Sequence, residues 1–189
     1  MILRETDMPA EKEWEKYFRP KRALETFGLR RGMKFLDLGC GYGTFSIPAA
    51  RIVGKSGVVY SLDIDEIMVG RVRAKAKSRH LNNVKAVAGD VSSLRDSELP
   101  LVHLALLANV IHGASNKVRL LKGVKKFLKS NGHIVVMNWK VDESTPRGPP
   151  MKMRPTEKET LTYLQRAGYD PCKVLDMPPF HYAVIARRR

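Results

Sequence analysis

Acid is scarce in this chain. Over 189 residues, 19 Asp and Glu stand against 34 Lys and Arg, a formal net charge of +15. Between Asn116 and Asn131 there are six basic residues and no acid, and the chain ends in Arg187-Arg188-Arg189. Such a field attracts phosphates, whether in RNA, anionic cofactors or lipid surfaces. A solvated helix face with a charged terminus is the plainer account. Cysteine is scarce too. Cys40 and Cys172 are the whole complement, without a CxxC or other ligand spacing. That excludes a disulfide framework and argues against a bound metal. The opening MILRETDMPAEKEW carries no apolar segment of the secretory type, and the longest apolar run, near LALLANVI, is too short to span a bilayer. A soluble cytoplasmic protein in a reducing compartment is expected. An apolar fraction of 43% with 28% charged residues excludes disorder. One domain over 1–189 is expected, with residues 1–28 as a helical cap within it.

Strand and helix patterns alternate along the chain, which predicts a parallel α/β sheet. Strands are expected at 33–38, 58–63, 84–89, 102–109 and 133–139. Helices fall at 44–53, 66–79 and 117–129, with a short turn at 92–98. In the third helix Val118, Leu121, Val124 and Leu128 share a face, with most of the basic residues opposite. ESTPRGPPMKMRP cannot be regular structure and reads as a long loop, the kind that carries function. Thr156-Glu157-Lys158-Glu159 fits a capping box that opens a helix ending at Gly168. Two further strands, 172–177 and 180–186, flank Pro178-Pro179, so the last strand should run antiparallel. Residues 9–28 form one or two amphipathic helices, with Trp14, Tyr17 and Phe18 on one face, either packed or acting as a lid.

The stretch FLDLGCGYGTF lies where the first strand turns into the first helix, the place where open α/β sheets bind ligands. Its glycines miss the Gly-x-Gly-x-x-Gly dinucleotide spacing, because Thr44 or Ser46 stands where the third glycine belongs. The Gly-Lys-Ser/Thr ending of a phosphate loop is missing as well. What remains is Asp37-x-Gly39-x-Gly41-x-Gly43. A carboxylate there repels pyrophosphate and suits an ammonium or sulfonium. Asp63, twenty residues past Gly43, ends the second strand, where a carboxylate accepts both hydroxyls of a ribose. Asp90 follows the third strand, in reach of an adenine amine.

FLDLGCGYG, VVYSLD and AVAGDV resemble, in order and spacing, the first three motifs of the class I S-adenosylmethionine-dependent methyltransferases. The resemblance covers nearly the whole chain and implies a Rossmann-like, seven-stranded, mostly parallel sheet with helices on both faces and an antiparallel final strand. S-adenosylmethionine is the cofactor it implies. Carried over residue by residue, Asp37, Gly39, Gly41 and Gly43 would hold the methionyl part and Asp63 the ribose. Ile64 would flank the adenine, Asp90 and Val91 would contact its edge, and Asn109 would lie near the sulfonium. LVHLALLANVIHG is most similar to the quinone-biosynthesis and arsenite methyltransferase group, although the cysteines of arsenic chemistry are missing.

A methyl acceptor needs alignment, and a base only if it holds a proton. His112, just past the fourth strand, is the first base candidate. His181 is the second, because an antiparallel last strand returns its start to the ligand rim; of His181 and Tyr182, on opposite faces, at most one reaches the cleft. Trp139 could stack on a flat substrate, and Arg147 or Arg154 could pair with an anionic one. No Asn/Asp-Pro-Pro-Tyr/Phe follows the fourth strand and Pro171-Cys172 is misplaced for a cytosine methylase, so base-modifying DNA chemistry is not expected. A small-molecule acceptor is favoured; an RNA acceptor using the basic surface is the alternative. Nothing in the sequence fixes the oligomeric state.

Overall fold

A computed structural model describes residues 19–91, 93–95, 99–145 and 148–189. The expected aromatic face of Trp14, Tyr17 and Phe18, most of the turn at 92–98, and Arg147 lie outside the described residues.

The elements follow in order: α1 (Pro20–Thr26), β1 (Lys34–Leu38), α2 (Ser46–Val53), β2 (Val58–Asp63), α3 (Glu66–Ser78), β3 (Val84–Ala88) and β4 (Val102–Ala108). A 3-10 turn (Ile111–Gly113), α4 (Lys117–Lys125), β5 (Leu128–Trp139), a second 3-10 turn (Met151–Met153), α5 (Glu157–Arg166), β6 (Tyr169–Met177) and β7 (His181–Arg188) complete the chain. One sheet has the order β3-β2-β1-β4-β5-β7-β6. Strands β1 to β5 pair in parallel, and β7 runs antiparallel between β5 and β6. The antiparallel last strand stands as expected.

The central strands are apolar throughout because both faces of the sheet are covered. On one face Leu36, Leu38, Ala105, Leu107, Ile134, Val136 and Val184 pack with Leu121 and Val124 of α4 and Leu164 of α5. On the other, Phe35, Leu104, Leu106, Val135 and Met137 pack with Leu24 of α1 and Ala49, Ala50 and Val53 of α2. Local chemistry starts each longer helix. Asp65 accepts from Ile67 N at 2.8 Å and Asn116 from Arg119 N at 2.9 Å. Thr156 and Glu159 close the capping box at α5, which runs out at Gly168 with a φ of 85°.

Several boundaries differ from expectation: β6 begins at Tyr169 rather than Cys172, β7 runs His181–Arg188, the loop after β5 holds a 3-10 turn, and the largest shift is at the end of α4. The helix predicted to 129 ends at Lys125, and β5 begins at Leu128. Phe127 O accepts from Val102 N at 2.7 Å and Leu128 pairs with Val102, so the chain joins the sheet beside β4 here instead of continuing the helix. A register shift between Val102 and Leu104 absorbs the residues between Leu128 and His133.

The Tyr182 hydroxyl lies buried between Thr160 Oγ1 (2.7 Å) and Pro155 O (2.6 Å), tying β7 to the start of α5. Tyr182→Phe strands both partners without solvent. It is expected to cost about 1–3 kcal/mol in urea denaturation, with no change in ligand binding.

Candidate active site

Strand order places the crevice. From β1 the chain runs outward through β2 to β3, then returns to the far side of β1 as β4. That reversal opens a cleft at the carboxyl ends of β1 and β4, with the glycine loop on one bank and residues 109–116 on the other.

The banks touch at Gly39. Its φ is 70°, and a Cβ there would come within 2.3 Å of Val110 Cγ2, so only glycine leaves the cleft its shape. Gly39 N and Cys40 N both donate to Leu62 O, at 2.7 and 3.1 Å, which pulls the loop onto the end of β2. Gly41 N then donates to Asp63 Oδ2 at 2.9 Å and Asp65 N to Oδ1 at 3.0 Å. Both carboxylate oxygens of Asp63 are therefore fixed, and each retains a lone pair. Next to it Ile64 is 52% exposed and Ile67 59% exposed, apolar surface left open where β2 meets α3.

Asp37 is placed differently. It is 2% exposed, beneath the loop, accepting from Ser46 Oγ at 2.6 Å, which in turn accepts from Ser61 Oγ at 2.7 Å. Burial pushes its carboxyl up to about 7, and the charge of Asp63 adds to the rise. The folded state thus holds a proton on Asp37 that the unfolded chain has released above about pH 4. Stability should fall by on the order of a few kcal/mol as pH rises from about 4 to about 7, then level off. Thermal unfolding across that range should show the slope in the wild type and its reduction in Asp37→Asn. Burial, followed by the charges of Asp37 and Asp63, raises the Cys40 thiol far above its usual range, which leaves it inert.

Just past β3 Gly89 N donates to Asp63 O at 2.8 Å, and Asp90 follows, exposed at the rim. The Val91 side chain turns into the core with Leu62 and Leu99 and is not presented to the crevice.

Asn109 follows β4 with φ at 58°, a left-handed conformation that asparagine tolerates. Its backbone N donates to Met137 O at 2.9 Å. Its Oδ1 is buried with no hydrogen-bond partner among the described residues. A buried acceptor without a donor costs free energy that a ligand N–H or O–H would recover.

His112 sits in the 3-10 turn, its Nδ1 3.3 Å from Asn138 Oδ1. Asn138 is fully buried on β5. Because Oδ1 can only accept, this bond puts the imidazole hydrogen on Nδ1 and leaves Nε2 with its lone pair. Burial holds the imidazole below its usual range. The Asn138 contact opposes that shift, while Lys117 and Arg154 add to it.

His181 is brought to the same end of the sheet by its pairing with Trp139, but not to His112. Successive residues on a strand face opposite ways, so Asn138 with His112 lies on one side of β5 and Trp139 with His181 on the other. The Trp139 and His181 rings are 4.0 Å apart, and both residues are buried. Burial, with the charges of Arg154 and Lys140, pushes His181 down to about 3 and keeps it neutral. Arg154 covers Trp139 at 5.6 Å and donates from Nε to Pro149 O and from Nη1 to Lys140 O and Thr145 Oγ1. Its guanidinium closes the loop after β5 and presents no open cation, and Trp139 presents no open ring face.

The sequence reading missed Asn138, although a polar residue inside the buried run IVVMNW was a signal for it. It also missed the Ser46–Ser61 pair beneath Asp37, and Ile67. No group of three or more His, Cys, Asp or Glu suited to a metal occurs among the described residues. No helix there is long and apolar enough to cross a membrane.

Residues 29–173 match the model of a family described as a methyltransferase domain. Over 120 residues the chain is 33% identical to a demethylmenaquinone methyltransferase of Staphylococcus aureus, covering 62% of this chain and 47% of that protein. Over 116 residues it is 29% identical to a probable cobalt-precorrin-6B C(15)-methyltransferase of Saccharolobus solfataricus, covering 60% of this chain and 56% of that one. The chain thus spans about half the length of the curated relatives it matches. The solved structure of a SAM-dependent methyltransferase from Aquifex aeolicus superposes with a TM-score of 0.86 at 28% identity, over 97% of this chain and 95% of that one. The chain belongs to the methyltransferase-domain family and has the Rossmann-like fold of the class I S-adenosylmethionine-dependent enzymes.

Proposed function

We propose that this chain transfers a methyl group from S-adenosylmethionine to a small-molecule acceptor, with His112 as the base. The observation that carries the reading is the donor-seeking rim of the crevice. Asp63 is pinned by Gly41 N and Asp65 N with lone pairs to spare, and Asn109 Oδ1 is buried without a donor. Hydroxyls and an ammonium supply the donors that such acceptors lack, and a pyrophosphate does not. When bound, S-adenosylmethionine supplies an activated methyl group on a positively charged sulfur.

The chain's own residues do the rest. Gly39, Gly41 and Gly43 let the backbone approach the ligand, and Asp37 shapes that loop from beneath through Ser46. Asp63 would accept from the ribose hydroxyls, Ile64 would flank the adenine, and Asp90 with Val91 would meet its edge. Asn109 would accept from the methionyl end. His112 Nε2 takes the acceptor's proton, and Asn138 holds the ring in the tautomer that makes this possible. His181 has no part in the proton transfer, being buried against Trp139 on the other side of β5. The names of the two curated relatives refer to small organic acceptors and support that class here.

The test is to incubate the protein with methyl-labelled S-adenosylmethionine and, separately, the low-molecular-weight and total RNA fractions of a cell extract. Label entering the small-molecule fraction is expected. Label entering RNA alone would overturn the acceptor class and leave the donor standing.

A further inference from the structure

A concave groove of about 580 Å³ lies between α4 and α5, on the outer side of the sheet face that carries Asn138. Lys117, Arg119, Lys122 and Arg166 line it, with Asn116 and Tyr163, and no acidic residue does among the described residues. Among the described residues the side chains of Arg119, Lys122 and Arg166 enter no ion pair or hydrogen bond. Like charges gathered in a concavity raise its potential; the run from 116 to 131 carries no acid, and the acid that meets the lining is Glu159 at the start of α5, close enough to Lys117 to feel its charge. Arginine forks and lysine point charges together match the oxygens of a phosphate. Tyr163, half-buried beside them, adds an aromatic wall.

The groove is coupled in space to the crevice. Ser115, also in its lining, is three residues past His112, so their Cα atoms are at most about 11 Å apart. Lys117 donates to Ala114 O at 3.2 Å and lies close enough to depress the His112 imidazole. A ligand whose phosphates sit at the Ser115–Lys117 end of the groove would have its far end within about that distance of His112.

We propose that this groove holds the phosphate or diphosphate of the methyl acceptor, so that the substrate is a phosphorylated small molecule. This rests on the reading of the crevice as the methyl-transfer site. The +15 charge then has a local purpose: it draws an anionic acceptor toward the His112 rim.

The test is calorimetric titration of the full chain with inorganic pyrophosphate, with a single-stranded RNA oligonucleotide and with S-adenosylmethionine, in low salt. Pyrophosphate is expected to bind, and about tenfold more weakly to Lys122→Glu/Arg166→Glu, with S-adenosylmethionine affinity unchanged. Lys122→Gln/Arg166→Gln should move affinity in the same direction and serves if the charge reversal impairs folding. No pyrophosphate binding, or binding equal in wild type and variants, overturns the proposal. RNA binding that the variants abolish, without pyrophosphate binding, also overturns it and makes the groove a nucleic-acid surface. Failure of S-adenosylmethionine to bind the wild type would instead strike the methyl-transfer reading itself.

Discussion

His112→Ala is expected to lower kcat by about two to four orders of magnitude, the usual range for removing a positioned base. Affinity for S-adenosylmethionine should stay within about twofold, because the imidazole is held by Asn138 on β5 and not by the glycine loop. The pH profile separates this from a structural effect. Burial keeps the imidazole below its usual range, so the wild-type rate should rise through one midpoint on the acid side of an ordinary histidine and then stay flat. The variant should lack that midpoint. Asn138→Ala frees the ring to change tautomer and should lower kcat with little change in cofactor affinity. Asn138→Asp, which restores an acceptor and adds charge, should move the midpoint upward.

Asp63→Ala is expected to weaken S-adenosylmethionine binding about a hundredfold, roughly 3 kcal/mol for two hydrogen bonds to a charged acceptor. S-adenosylhomocysteine should lose the same factor, since it carries the same ribose. Asp63 also anchors Gly41 N and Asp65 N, so part of the loss comes from loosening the loop between β1 and α2. Asp63→Asn separates the contributions. It keeps one acceptor for the backbone and should recover part of the affinity. Equal loss of cofactor affinity in the His112 and Asp63 variants would place His112 in the cofactor site.

The alternation of apolar strands with amphipathic helices made the sheet legible, because buried parallel strands are apolar on both faces and interrupted only by turns. The ends of β1 and β2 were legible for a different reason: an acidic residue closing an apolar run is costly unless it has a use. Periodicity failed at 126–129. Val118, Leu121, Val124 and Leu128 keep helical spacing, but a buried strand start satisfies the same pattern, and the open donor at Val102 N drew the chain into the sheet. The turn at Pro178-Pro179 placed His181 correctly at the rim. Its face depends on the pairing of Trp139 with His181, and that register is long-range information. Arg154 shows the same limit. An arginine in a polar loop reads as solvated, yet here three main-chain and side-chain acceptors close around it. Asn138 acquires its meaning only when the turn after β4 brings His112 beside it.

Calorimetric titration of the full chain with S-adenosylmethionine, S-adenosylhomocysteine and NAD tests the central claim most directly. S-adenosylmethionine and S-adenosylhomocysteine should each bind at one site per chain, and NAD should give no heat of binding. NAD binding without S-adenosylmethionine binding would contradict the account.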